Sequence, residues 1–263
     1  MSKVNHYSEI EDAILYMKQH LDDPLSLSHL ARHISYSPYH FSRLFKQKTG
    51  LSPIYYVASL RMQKAKDLLL RTDLTIRDIG LEIGQQSLGT FTTRFTQRIG
   101  LSPSRFRKTA HEAPSHLEAL SKLSNWSTSS INYVGEYADM TGTMSTSEPF
   151  KGIILIGLFP KPIPEGRPLY GTLILDQGNF RFTQVKPGRY YLMATSVSWG
   201  MTSIDYMLPY QTLRTRTKYP ITVKPFSSIP HQDVMLYPPK LDDPPILISL
   251  PLLMKSFLSR LHI

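Results

Sequence analysis

The chain repeats itself once, and the repeat restricts residues 1–110 to a paired helical fold. Leu27-Ser28-His29-Leu30-Ala31-Arg32-His33-Ile34-Ser35 matches Ile76-Arg77-Asp78-Ile79-Gly80-Leu81-Glu82-Ile83-Gly84 at an offset of 49. Apolar positions 27, 30 and 34 fall on 76, 79 and 83. Further on the offset becomes 50: Ser37, Phe41, Phe45, Gly50, Leu51, Ser52 and Pro53 pair with Ser87, Phe91, Phe95, Gly100, Leu101, Ser102 and Pro103. One residue inserted inside a helix would turn its apolar face by about 100°. The extra residue therefore belongs in the turn of the second unit, where an insertion costs little.

Each unit, about 25–50 and 75–100, reads as a short helix, a tight turn and a second helix. Ala31 and Gly80 are small residues on the inner faces of the first helices, and Ser35 and Gly84 sit at the turns. Ser37 and Ser87 are placed to cap the second helices by accepting free backbone N–H bonds, and Pro38 suits a first helical position. Phe41 and Phe45, like Phe91 and Phe95, lie one turn apart and face inward. Residues 39, 42, 43 and 46, and 89, 92, 93 and 96, are left on the outer faces. Ile10, Ile14, Met17 and Leu21 mark a preceding helix ended by Asp23-Pro24. A long amphipathic stretch, Pro53 to Arg71, joins the units, with Ala58, Met62, Ala65 and Leu69 on one side and Arg61, Lys64 and Lys66 on or near the other.

Charge follows the same division. Residues 1–110 carry 16 Lys+Arg against 9 Asp+Glu, and the remainder 14 against 11. A basic excess concentrated on a paired helix-turn-helix pattern points to phosphate-rich partners. In such units the second helix enters the DNA major groove, polar side chains near its N-terminus read base edges, and Lys and Arg at the rim hold phosphates. Ser37-Pro38-Tyr39-His40-Phe41-Ser42-Arg43-Leu44-Phe45-Lys46 with Thr49-Gly50-Leu51-Ser52-Pro53, and Phe95 through Arg107 in the second unit, resemble the AraC/XylS family of bacterial regulators. The resemblance implies a transcription regulator whose single copy lays two recognition helices into successive major grooves on one DNA face. By position it implies base contacts from Tyr39, Ser42 and Arg43, and in the second half-site from Gly89, Thr92 and Thr93, with Gln86 and Leu88 at its entrance. Backbone contacts are implied for Ser37, His40, Lys46, Ser87, Arg94 and Arg61.

The second unit departs from the family pattern. Gly84-Gln85 stands where the family usually has Gly-Phe, and Thr93 stands where an Arg is common. Arg94 instead aligns with Leu44, on the expected partly buried side, where it would contact phosphate or cap the helix. The first unit is therefore expected to discriminate bases more than the second.

Residues 111–263 hold sixteen of the twenty prolines and read differently. Residues 111–148 are Ser/Thr-rich and read as a linker with a short helix over His116 to Leu123 and an early strand near Ile131 to Tyr137. Gly152–Phe159, Tyr170–Leu175, Asn179–Val185, Arg189–Val197, Ile221–Val223 and Val234–Tyr237 are short apolar or alternating runs between turn residues, the pattern of an all-β sandwich or barrel over 149–263. Phe180, Phe182 and Val185, a turn at Pro187-Gly188, then Tyr190, Leu192 and Ala194 read as a hairpin. From Gly152 this resembles transthyretin-like or carboxypeptidase-regulatory β-sandwiches, which implies an adhesive or structural and rarely catalytic module, whereas the AraC/XylS resemblance implies a second domain that senses an effector or dimerises. The expected fold is thus an all-α double helix-turn-helix of about seven helices followed by a mainly antiparallel β-sandwich. The apolar tail through Ile246–Met254 is expected to cover the sandwich edge within the chain, with a dimer contact as the alternative.

Other chemistries are weaker. With no cysteine there are no disulfides or thiolate ligands. His29 and His33 are four apart on a helix but lack a third metal ligand. His231-Gln232-Asp233 and His111-Glu112 have no nucleophile or phosphate loop beside them and read as surface residues. No enzymatic activity, cofactor or metal is expected. The reading is a cytoplasmic regulator, monomeric or weakly dimeric, that binds double-stranded DNA without membrane contact. Its β module would sense a small-molecule effector. Alternatively, that module binds no small molecule and engages a protein such as RNA polymerase.

Overall fold

The computed structural model describes residues 6–85, 87–123, 137–225 and 227–261. Its helical part comprises α1 (His6–Gln19), α2 (Leu27–His33), α3 (Pro38–Thr49), α4 (Pro53–Arg71), α5 (Ile76–Glu82), α6 (Leu88–Ile99) and α7 (Pro103–Ser121). Ser26, Ser37, Ser52, Thr75, Ser87 and Ser102 each accept the N–H of the residue three further on, so six of these helices begin at a side-chain cap. Each such cap contributes about 1 kcal/mol. Gly50 and Gly100 stop α3 and α6 at φ 80° and 87°, a left-handed conformation that a β-carbon makes costly.

The rest of the chain comprises β1 (Ala138–Thr146), β2 (Gly152–Phe159), β3 (Tyr170–Leu175), β4 (Gly178–Val185), β5 (Gly188–Ser198), α8 (Ser203–Met207), β6 (Arg214–Arg216), β7 (Ile221–Val223), β8 (Gln232–Leu236) and α9 (Leu250–Leu258). Two sheets form: β4-β1-β8, and β3-β2-β5-β6 with β7 also on β5. Pairing is antiparallel except between β1 and β8. Met140, Ile154, Ile156, Leu158, Phe180, Phe182, Tyr190 and Leu192 fill the space between the sheets.

Three expectations change. Residues 138–146, read as linker, form the central strand of the smaller sheet, with Met140, Gly142 and Met144 inward and Ser/Thr outward. The early strand near Ile131 lies outside the described residues save Tyr137, which precedes β1. The short helix after His116 is instead the end of α7, which continues through Pro114. Finally, β4 and β5 are not a hairpin: β4 pairs with β1, β5 with β2, and the chain crosses between sheets at 185–188. Phe182 and Leu192 can then face each other across the core instead of lying side by side.

The two parts share one core. Every residue of β2 is buried, because alternate side chains serve opposite faces. Ile154, Ile156 and Leu158 enter the sandwich, while Ile153, Leu155 and Phe159 join the cluster that includes Phe45, Tyr56, Phe95 and Phe106. The apolar tail completes this layer, with Ile246, Leu247, Ile248, Leu250, Met254 and Phe257 buried in the same cluster. Leu247 and Ile248 donate N–H to Pro164 O at 2.9 and 3.0 Å, and Ser249 N to Ile99 O at 3.0 Å. None of the helices among the described residues is long and apolar enough to cross a membrane.

Candidate nucleic-acid interface

The two helix-turn-helix units are built alike. At the turns Ser35 N donates to Arg32 O at 3.0 Å and Tyr36 N to Ala31 O at 2.8 Å; Gly84 N donates to Leu81 O at 2.9 Å and Gln85 N to Gly80 O at 2.8 Å. The offset of 49 thus holds through Gln85, and the inserted residue is at position 86. Ser37 then accepts His40 N–H and Ser87 accepts Thr90 N–H, both at 3.3 Å. Phe41 meets Phe45 edge-on at 5.5 Å between ring centres, and Phe91 meets Phe95 at 5.7 Å. Phe45 continues to Tyr56 at 5.4 Å and Phe95 to Phe106 at 5.8 Å, so α4 and α7 support the second helices in the same way. Edge-to-face pairs of this kind add about 1 kcal/mol each to the burial of the rings.

With the phenylalanines fixed, the outer faces follow. In α3, Tyr39 is 81% exposed and Arg43 and Lys46 are exposed, while Ser42 is half-buried beside them. Arg43 and Lys46 have no hydrogen-bond or ion-pair partner among the described residues. His40 is half-buried and meets Tyr36 edge-on at 4.9 Å. In α6, Leu88 is 48% exposed, Gly89 and Thr93 are exposed and Thr92 is half-buried. A β-carbon at Gly89 would meet only Ser87 Oγ, at 4.0 Å, so packing does not require glycine there. Gln86 lies outside the described residues.

The two arginines of α6 are engaged. Arg94 is exposed, not on the partly buried side expected for it, and its Nη1 donates to Gln85 Oε1 at 3.2 Å. The departures at 85 and 94 therefore explain each other. Arg98, near the end of α6, donates through Nε to Glu165 at 2.6 Å and through Nη2 to Ser59 at 2.6 Å, in a largely buried cluster. Its guanidinium lies 4.7 Å from the centre of the Tyr55 ring, and the Tyr55 hydroxyl donates to Glu165. Among the charges here the Arg98 guanidinium does most to hold the Glu165 carboxyl below its ordinary range, against the desolvation that opposes it.

Other sequence-derived assignments are corrected by contacts. Arg61 donates to Leu21 O at 3.0 Å and Asp23 O at 2.7 Å, pinning the chain beyond α1, so its guanidinium is a strut. Lys66, expected on the outward side of α4, is fully buried and donates to Ile246 O at 3.1 Å. Burial lowers its pKa to about 7. His29 and His33 turn towards α1: His29 Nε2 lies 2.9 Å from Tyr16 OH, and His33 stacks on the same ring at 3.9 Å. No group of metal-ligating side chains occurs among the described residues. His231 lies against Thr141 and Thr143 at 3.2 and 2.9 Å on the sheet surface. Two cations were not singled out in the sequence: Arg32 on α2 and Arg77 on α5 are exposed and without a partner among the described residues. The local positive balance was their only signal.

Residues 30–109 match a family model described as a helix-turn-helix domain. The uncharacterized HTH-type transcriptional regulator YobQ of Bacillus subtilis is 35% identical over 99 residues, 38% of this chain and 41% of that protein. The regulator YfiF from the same organism is 41% identical over 93 residues, 35% of this chain and 29% of that one. The chain thus spans well under half of these relatives' length. Among solved structures, the C-terminal domain of AraT, a response regulator from Geobacillus stearothermophilus, is similar at 33% identity and TM-score 0.37, covering 41% of this chain and 88% of that one. Matched units, matched caps and the family model agree that residues 30–109 form a helix-turn-helix domain.

Proposed function

We propose that the chain is a DNA-binding transcription regulator in which α3 and α6 enter successive major grooves on one face of the duplex. The observation that carries this reading is the outer face of α3: Tyr39, Arg43 and Lys46 stand exposed, the two cations unpartnered, on a helix whose other face is locked by Phe41 and Phe45. Tyr39, Ser42 and Arg43 read bases in the first half-site. Thr92 and Thr93 read the second, with Leu88 suited to a thymine methyl and Gly89 leaving room for close approach. Gln86 joins them by its place in the sequence. Lys46, Arg94, Arg32 and Arg77 hold phosphates, and the capped N-termini at Ser37 and Ser87 offer backbone N–H groups to them. His40 serves the same backbone contact from the first turn of α3.

The β module senses an effector. It grips the C-terminal ends of α3 and α6 and leaves the reading faces open, an arrangement suited to shifting one helix against the other. Contact with RNA polymerase alone is the alternative. Selection of bound DNA from a random pool with the full chain tests the proposal. The expected product is a two-part site whose first half carries more fixed positions, bound with a steep salt dependence. Equal affinity for selected and random duplexes at every ionic strength would overturn it.

A further inference from the structure

The boundary between the first helix-turn-helix unit and the β module contains a recess of about 360 Å³. One wall is α1 and α4, with Lys18, Lys64 and Asp67; the other is the β module, with Arg214, Lys240 and Asp243. Four cations thus face two carboxylates, and the carboxylates already have partners. Asp67 accepts from the Tyr210 hydroxyl and lies 3.6 Å from Arg71 Nε. Asp243 accepts Lys240 N–H at 2.8 Å and the Tyr237 hydroxyl at 3.2 Å.

The cations divide into fixed and available charges. Lys64 pairs with Asp22. Arg214 is buried and held by the carbonyls of Pro209, Tyr210 and Thr212, which fixes its positive charge in the recess wall. Lys18, from α1, has no hydrogen-bond or ion-pair partner among the described residues. Desolvation and the nearby Arg214 push its pKa down, and the Asp243 carboxylate offsets them only in part. Lys240 Nζ lies 4.3 Å from the centre of the Tyr237 ring and has no ion-pair partner among the described residues. Two available ammonium groups, one from each module, therefore line a recess with a fixed guanidinium in its wall.

We propose that this recess binds a small, multiply charged anion, a polycarboxylate or a phosphate ester, that bridges Lys18 and Lys240. The volume suits a metabolite and not a polymer, and charge pairing would relieve the repulsion built into the empty recess. This rests on the reading of the β module as a sensor, because the bridged groups belong to the reading unit and to that module.

The test uses the full chain with citrate and with inorganic pyrophosphate as probes, at ionic strength matched with sodium chloride. Calorimetry should show saturable binding of at least one probe that weakens roughly tenfold in Lys18→Gln and in Lys240→Gln. Lys122→Gln, a change on the far end of α7, should leave it unaltered. Thermal melts without the probe report whether each variant is folded. No saturable binding of either probe at millimolar concentration, or equal affinity in the two recess variants and the parent, would overturn the proposal. A parallel DNA titration separates the two readings. Anion binding without a change in DNA affinity keeps the site and removes the sensor role, whereas loss of specific DNA binding altogether counts against the regulator reading alone.

Discussion

The two helix-turn-helix units share a scaffold and differ in what they present. Their caps and paired phenylalanines correspond residue for residue, with ring separations of 5.5 and 5.7 Å, while the turn of the second is one residue longer. Their outer faces do not. In α3 Tyr39, Arg43 and Lys46 are presented, while α6 presents Gly89, Thr92 and Thr93 and has its arginines tied to Gln85 and Glu165. The two units share their packing and differ in the side chains they expose.

The largest expected effect tests the shared half of this comparison. Phe45→Ala and Phe95→Ala each remove a fully buried ring and should cost about 3–5 kcal/mol in denaturant unfolding. Values differing by more than the spread of such substitutions would break the equivalence of the scaffolds. Next comes α4 against α7, where Lys66 and His116 occupy matching places. Lys66 has a folded pKa of about 7 against an ordinary 10.5, so between those values the unfolded chain holds a proton that the folded chain does not. Stability should therefore rise with pH across that window, by up to about 1.4 kcal/mol per pH unit. In Lys66→Met the slope should flatten, whereas His116→Leu should leave this alkaline slope in place.

Smaller effects test the surfaces. Arg43→Ala should weaken binding to a selected duplex by about 1–3 kcal/mol and relax specificity at one base pair, and Thr93→Ala should do distinctly less. A gel-shift or fluorescence titration that reversed this order would make the second unit the stricter reader. Last, Ser37→Ala and Ser87→Ala should each lower stability by about 1 kcal/mol, measured by thermal unfolding.

The helical half was legible because its signals are local. Caps sit next to the helices they start, the phenylalanines lie one turn apart, and Pro53–Arg71 appears in the sequence with the limits it has in the structure. Strands β2 and β3 were legible for the same reason. The rest depended on distant partners. Lys66 reads as a surface residue until Ile246, 180 positions away, supplies its acceptor. Arg61 reads as free until the carbonyls of Leu21 and Asp23 are brought beneath it. Strand β1 was hidden because its outward Ser and Thr residues resemble a linker, and its inward Met140, Gly142 and Met144 form too sparse a stripe. At the candidate interface, position and exposure of α3 could be read from spacing, but the pairing of Arg98 could not, since Glu165 lies in the other half of the chain.

The end of α6 is finished by the β module. Arg98 O accepts Gly166 N–H at 2.6 Å and Ile99 O accepts Ser249 N–H at 3.0 Å, carbonyls that a helix terminus cannot satisfy internally. Cutting the chain after α7 would leave those acceptors, and the apolar surface around Gly100, facing water. The last turn of α6 would fray in such a fragment. A severed helical half would then be a poor guide to how the intact chain holds its spacing along a duplex.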